Sequence, residues 1–223
     1  MKKNSKILYI LAAVFTVLFG ALAVALQFVD VAAIGPEGTS VGFAGINGAF
    51  HKMTGVQTTA YGISEVTGAV GLLTAAVFAL IGLIQLIKRR SFLKVDKSIL
   101  LLGALYVVLG VLYVAFDKIV VNYRPILEDG ALEASYPSSH TMLAVVIYST
   151  AIVVFSELLG NTKLVWLPRI AFGCLMIVTV VGRLLSGYHW LTDIVGGLLI
   201  GIALILWYLA VRKTVRAKEK AGK

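Results

Sequence analysis

Two histidines, an aspartate and two arginines fall in three short clusters of this 223-residue chain: Arg124-Pro125, Pro137-Ser138-Ser139-His140, and Arg183 followed by His189 and Asp193. Each cluster sits at or beside the end of a long apolar run, where a charge is costly unless it faces water, a partner or a substrate. If a helix starts near His189, then His189 and Asp193 stand four residues apart on one face. Such a pair fixes the imidazole tautomer and leaves the other ring nitrogen free to attack or to shuttle a proton. Arg124 and Arg183 offer planar forks of donors suited to phosphate oxygens, and Pro125 stiffens the turn behind the first. Ser138 and Ser139 are natural N-caps for the apolar run that begins at Thr141, and the free N–H groups there make an anion site. A phosphate at that helix start would favour the protonated form of His140 and turn it into a general acid. Taken singly, the clusters could be a helix cap or an interfacial anchor. Taken together they suit phosphoryl transfer, which needs positioning and neutralisation of spread negative charge. Fixed arginines and a helix N-terminus supply what magnesium supplies elsewhere, so no metal and no organic cofactor is expected.

The elements that position these residues are membrane helices. Apolar residues make up 59% of the chain and charged residues 14%, and the mean hydropathy of +0.94 is far from that of a soluble domain. Six runs approach the ~20 residues of a spanning helix: Ile7 to Val29, Val66 to Ile87, Ile99 to Phe116, Thr141 to Leu159, Ile170 to Leu185, and Ile194 to Val211. Read as one helix, Ile170 to Val211 would run about 63 Å, twice a bilayer core, so a hairpin turning at Gly187-Tyr188 is expected. That turn is also needed for the chemistry, because on one continuous helix Arg183 would point roughly 240° away from His189. The expected fold is all-α and polytopic, a single domain over residues 1–223, with an outer segment 30–65 and a motif region 117–193.

Charge orients the helices, since cytoplasmic loops collect Lys and Arg. The N-terminus (Lys2, Lys3, Lys6), the second loop (Lys88, Arg89, Arg90, Lys94, Lys97), the fourth loop (Lys163, Arg169) and the tail (Arg212, Lys213, Arg216, Lys218, Lys220, Lys223) hold all but four of the 20 basic residues. Both termini are therefore expected in the cytoplasm. Lys52, Lys118, Arg124 and Arg183 fall on the outer side, with all but three of the 11 acidic residues. The net charge of +9 is a topology signal and a contact for anionic lipid, which argues against a nucleic-acid partner. The first run reads as an uncleaved anchor, because its apolar stretch continues past Ala21-Leu22-Ala23 to Val29.

Within the outer segment, Phe43, Ile46, Phe50 and Met53 recur at steps of three and four. They suggest a short amphipathic helix, lying on the membrane face or packed over the bundle. His51 is off that stripe and reads as solvated. Cys174, the only cysteine, reads as a buried packing thiol, and Glu128, Asp129 and Glu133 as solvated loop charge.

In order and spacing the clusters resemble the type 2 phosphatidic acid phosphatase superfamily, the membrane lipid phosphate phosphatases, whose pattern runs Lys-x6-Arg-Pro, Pro-Ser-Gly-His, Ser-Arg-x5-His-x3-Asp. The resemblance runs by motif from about Asp117 to Asp193. Three positions depart from it: Lys118 lies one residue too close to Arg124, Ser139 replaces the glycine, and Gly182 replaces the serine before Arg183. The resemblance implies that His189 attacks phosphorus and forms a phosphohistidine, with Asp193 orienting it. It implies further that His140 protonates the leaving group, and that Arg124, Arg183, Ser138, Ser139 and Lys118 hold the phosphate oxygens. The implied activity is release of phosphate from a phospholipid or a polyprenyl (pyro)phosphate, at the extracytoplasmic face of the cell membrane. Transfer to an acceptor other than water, or a non-catalytic protein that binds or transports anionic lipid, would also accommodate these residues.

Overall fold

The computed structural model describes residues 3–160 and 162–221; Lys2 and Lys223 of the charge pattern lie outside them. Among the described residues there are seven α-helices: α1 (Lys3–Ala25), α2 (Ala44–Thr54), α3 (Thr58–Arg89), α4 (Lys97–Lys118), α5 (Ser139–Leu159), α6 (Trp166–Ser186) and α7 (Leu191–Ala221). All but α2 are long and apolar enough to cross a membrane, and the chain is a multi-pass membrane protein with the six expected spans. In α5 and α7, 44% and 50% of the apolar stretch is buried, against 11–17% in the other four. The bundle is therefore organised around α5 and α7. Helix α5 packs on α3, α6 and α7, and α1 packs along the far side of α7.

With no hydrophobic drive between helices in lipid, packing and interhelical hydrogen bonds hold such a bundle. Helix α3 buries Ser64, Thr67 and Gly71; small side chains let α5 and α6 approach closely. Thr67 then joins all three helices: its hydroxyl accepts from Thr179 at 2.8 Å and its carbonyl from the Tyr148 hydroxyl. Tyr106 and Thr150 bond at 2.8 Å between α4 and α5. Antiparallel α1 and α7 are joined by Tyr9 with Thr214 at 3.3 Å and by the Trp207 indole N–H donating to Thr16 at 3.2 Å.

Several sequence expectations change. The outer segment ends at Gln57 rather than at residue 65, because α3 begins at Thr58. Its first two turns carry the polar Thr58, Thr59, Ser64 and Glu65, of which Ser64 is buried, Glu65 half-buried and the two threonines exposed, and so escape a hydropathy reading. Cys174 is exposed: it lies half a turn round α6 from buried Arg183 and looks outward. The stripe on α2 is split, with Ile46 and Met53 54% and 74% exposed and Phe43 and Phe50 half-buried, Phe43 against the core. The other face of α2 packs on the bundle through buried Asn47. The Asn47 side-chain amide donates to the Gly42 carbonyl at 2.8 Å and to the Thr192 hydroxyl at 3.0 Å, and its oxygen accepts the Thr192 N–H at 3.2 Å. A free N–H in the first turn of α7 is satisfied in this way. His51 stands half-buried with its ring 5.5 Å from that of Trp190, not in solvent, and burial holds its pKa below the ordinary histidine value.

Asn47→Leu should leave the Thr192 N–H buried without a partner and destabilise the protein by about 1–3 kcal/mol. A lowered thermal unfolding temperature in detergent is the expected outcome; an unchanged one would show that α2 contributes nothing to holding α7.

Candidate active site

The site lies where α4 ends, α5 and α7 begin, and α6 turns into α7. Gly187, at φ 77°, ends α6 in the left-handed region, and a side chain there would also meet the Gly55 carbonyl at 2.2 Å. This is the turn expected at Gly187-Tyr188, and it reverses the chain between Arg183 and His189. Helix α7 starts at Leu191, so His189 precedes the helix instead of riding its first turn. The imidazole and carboxylate still meet, with His189 Nδ1 3.7 Å from Asp193 Oδ2. The reason is a cap: Asp193 reaches back to accept the Trp190 backbone N–H at 2.8 Å, as the third residue of a capping box does.

Between His189 and Asp193 stands Ser135, a residue the sequence reading did not single out. Its hydroxyl donates to Asp193 Oδ2 and lies 3.2 Å from His189 Nδ1. With its one proton given to the aspartate, Ser135 can only accept from the imidazole, so Nδ1 carries the hydrogen. The lone pair then belongs to Nε2, which is buried without a partner. Burial is the main cause holding the His189 pKa at about 4, with Asp193 opposing it and Arg124 assisting. A neutral, oriented imidazole with one unshared nitrogen is the form a nucleophile requires.

Ser135 is placed by the loop between α4 and α5, which doubles back as an irregular hairpin. Its turn is Asp129-Gly130, both at positive φ, flanked by paired N–H to carbonyl bonds between Glu128 and Ala131. An Asp-Gly pair is a strong hairpin signal, and it was the clue in the sequence to this element. The hairpin sets the Arg124 N–H on the Glu133 carbonyl at 3.0 Å and the Ser135 N–H on the Asn122 carbonyl at 2.9 Å. The Trp190 indole N–H, donating to the Tyr123 carbonyl at 2.8 Å, ties the hairpin to the start of α7.

A cavity of about 520 Å³ opens here, lined by Arg124, Lys118, Ser139 and His189 over a floor that includes Phe116 and Met142. Four expected site residues thus share one cavity, and Asp193 supports it from behind. Ser138 is fully buried: its N–H donates to the Asp193 carbonyl at 3.0 Å and its hydroxyl accepts from Thr141 at 3.1 Å. Those bonds join the start of α5 to α7 and leave the Ser138 hydroxyl outside the cavity. Lys118 is paired with Asp117 at 2.9 Å and its side chain is 77% exposed.

His140 and Arg183 meet elsewhere, on the α3 side. Both approach Glu65, which the sequence reading placed among the outer acidic residues: His140 Nε2 lies 3.3 Å from Oε1, and Arg183 donates to the same oxygen. The Arg183 guanidinium also lies 4.8 Å over the Tyr61 ring. The Tyr61 hydroxyl donates to Glu128 at 2.9 Å, and Arg124 forms ion pairs with Glu128 at 2.8 Å and Glu133 at 3.3 Å. One continuous polar network therefore links both arginines and His140, with the hairpin carboxylates included. No group of three or more His, Cys, Asp or Glu side chains with metal-ligand geometry occurs among the described residues.

Residues 115–217 match the family model described as PAP2 superfamily. The fold is similar to the crystal structure of the first transmembrane PAP2 type phosphatidylglycerolphosphate phosphatase from Bacillus subtilis. The TM-score is 0.58 at 19% identity, over 92% of this chain and 96% of that one; at that identity the likeness establishes the fold. No curated protein matches the chain by sequence.

Two outcomes follow from this geometry. The His189 imidazole should titrate near pH 4, well below an ordinary histidine, in NMR of side-chain-labelled protein. Because its folded pKa lies below the unfolded value of 6.5, its contribution to stability is present above pH 6.5 and is lost as pH falls towards 4. Ser135→Ala should lower kcat by about 10-fold, the scale of one lost hydrogen bond, with the fold retained; unchanged kcat would remove Ser135 from the site.

Proposed function

We propose that this chain, whose residues 115–217 match the PAP2 superfamily model, is a PAP2-type membrane lipid phosphate phosphatase working through a phosphohistidine. The observation that carries this reading is His189 Nε2, buried without a partner on a cavity that also holds Arg124 and Ser139, with Ser135 and Asp193 fixing the ring from behind. In the first step the Nε2 lone pair attacks phosphorus, a P–N bond forms and the P–O bond to the lipid breaks. His140 gives its proton to the departing alkoxide. Arg124 and Arg183, with Ser139 and the free N–H groups at the start of α5, take the charge that builds on the equatorial oxygens. Lys118 reaches the cavity mouth and adds a mobile positive charge there, while Ser138 holds the α5 terminus in place against α7. In the second step His140 removes a proton from water, which attacks phosphorus and releases inorganic phosphate and neutral His189.

The chemistry as proposed is metal-independent and uses no cofactor, the cations being supplied by the chain. The cavity opens at the helix ends, where a phosphate on a membrane lipid enters laterally. Phospholipid and polyprenyl (pyro)phosphate substrates fit this description, and the function given for the Bacillus subtilis neighbour makes phosphatidylglycerol phosphate the first to test. The sorting of basic residues to the opposite end of the bundle supports an extracytoplasmic site in the cell membrane.

Purified protein should release phosphate from at least one lipid in a panel of phosphatidic acid, phosphatidylglycerol phosphate and polyprenyl pyrophosphate, undiminished by a chelator. His189→Ala should lower the rate by about 10³-fold or more. Loss of activity on chelation, or survival of activity in His189→Ala, contradicts the mechanism. Anionic lipid binding without turnover of any panel member would instead establish the binding-protein reading, and product carrying the phosphate on an added alcohol the transferase one. For the membrane side, cysteines at Leu127 and Leu93 in a Cys174→Ser background should react with an impermeant maleimide in intact cells at 127 and not at 93; the reverse overturns the orientation.

A further inference from the structure

Glu65 lies in α3, ahead of the residues that match the family model, yet it touches two of the groups on which the proposed mechanism depends. Its Oε1 is the shared partner of Arg183 and of His140 Nε2. The contact is built into the helix. One turn before Glu65, Tyr61 lies beneath the Arg183 guanidinium. About one turn after it, Gly68 leaves room for the His140 ring, since a Cβ at that position would stand 2.7 Å from His140 Cδ2. Positions 61, 65 and 68 share one helical face, so α3 supplies a wall of the site shaped around the imidazole and the guanidinium.

The electrostatics give Glu65 a specific task. The Arg183 side chain is 1% exposed, and a cation buried so completely is strongly destabilising without a counterion. Its Nε finds no partner, so Glu65 Oε1 is the carboxylate oxygen that compensates it. A phosphate that takes this Arg183 donor has to displace that oxygen. The Glu65 side chain is itself 42% exposed, and a group open to that degree has room to withdraw.

We propose that Glu65 is a positioning residue and an exchangeable counterion of the phosphate site. It holds Arg183 while the site is empty, yields it to the incoming phosphate, and stays with His140 to aim that imidazole at the leaving oxygen. The proposal rests on the phosphatase reading for its kinetic arm and stands without it for its anion-binding arm. It differs from a purely structural role in direction. Removing a carboxylate that competes with phosphate strengthens anion binding even as loss of the His140 partner slows turnover, whereas loss of a structural contact weakens both.

The test compares full-length wild type, Glu65→Gln and Glu65→Asp in detergent or nanodiscs, with thermal unfolding to verify the fold. Inorganic vanadate and inorganic phosphate serve as anion probes, measured by calorimetry and by inhibition of lipid phosphate hydrolysis. Glu65→Gln should bind vanadate about 5-fold more tightly or better and show kcat lowered about 10-fold or more, with a reduced KM. Glu65→Asp, which keeps the charge, should lie closer to wild type in anion affinity. If Glu65→Gln binds vanadate no more tightly than wild type, or loses affinity and kcat together, the proposal is overturned. If wild type hydrolyses no panel lipid, the phosphatase reading fails while calorimetry with phosphate and vanadate still decides the role of Glu65.

Discussion

A cation buried at a membrane surface is tolerated only beside an anion, and the site end of this bundle is arranged around that constraint. Arg183 is held by Glu65 and Arg124 by Glu128 and Glu133, while the exposed Lys118 pairs with its neighbour Asp117 at the rim. Two of these pairs join separate segments: Glu65 brings α3 to the end of α6, and Glu133 locks the returning limb of the hairpin against Arg124. His189 and Asp193 follow a related logic, with burial keeping the imidazole neutral and the aspartate sharing its oxygen between the Ser135 hydroxyl and the Trp190 N–H. Desolvation makes these pairings necessary, because charges removed from water recover their hydration only through close partners.

The same residues stabilise the fold and shape the site. Asp193 caps α7 and orients His189; Ser138 begins α5 and fastens it to α7 through the Asp193 carbonyl. Asn47 completes the first turn of α7 from the outer segment, so the element carrying Asp193 is fixed from two directions. Precise placement of a nucleophile requires supports that do not themselves move. Here the Ser135 and Asp193 side chains that hold His189 are themselves tied to backbone groups, Asp193 through the Trp190 N–H and Ser135 through its own N–H on the Asn122 carbonyl. The more exposed side chains, Lys118 and Glu65, lie at the margin.

The number of spanning helices was legible because apolar runs of bilayer length have few other uses, and the three clusters because charged residues at their ends are costly. The hairpin at Gly187 was legible from length alone. Three features were hidden for physical reasons. Helix α3 begins ahead of its apolar run, with first turns that mix exposed Thr58 and Thr59 with buried Ser64 and half-buried Glu65; residues so polar carry no hydropathy signal, and Glu65 falls outside the apolar run. Ser135 has no signature, since a serine two residues before a proline is ordinary until the hairpin sets it between an imidazole and a carboxylate. Glu128 and Glu133 were read as solvated because nothing local to them records that Arg124 is folded back against both. The Asp129-Gly130 turn did carry that information. The pairing of His189 with Asp193 was expected from shared helical periodicity, but arises from a cap reaching back to the residue before the helix.

The two ends of the bundle share their carboxylate oxygens among cations differently. At the end away from the site, Glu157 uses both oxygens on Arg216 and also meets Arg212, Lys97 pairs with Glu219, and Arg89 with Asp96. These contacts join α5 to α7, α4 to α7 and α3 to the start of α4, as clamps do. At the site end, one glutamate oxygen serves both Arg183 and His140; Arg183 Nε, His189 Nε2 and Asp193 Oδ1 are buried without hydrogen-bond partners, as are Arg212 Nε and Nη2 at the other end. A cation compensated as fully as Arg216 has little left to offer a ligand, and a bare one in the place of Arg183 would oppose folding. Compensation that is sufficient for folding but incomplete in hydrogen bonding lies between those limits. An incoming phosphate, with more oxygens and more charge than a carboxylate, can then satisfy donors that the protein's own anions leave unused.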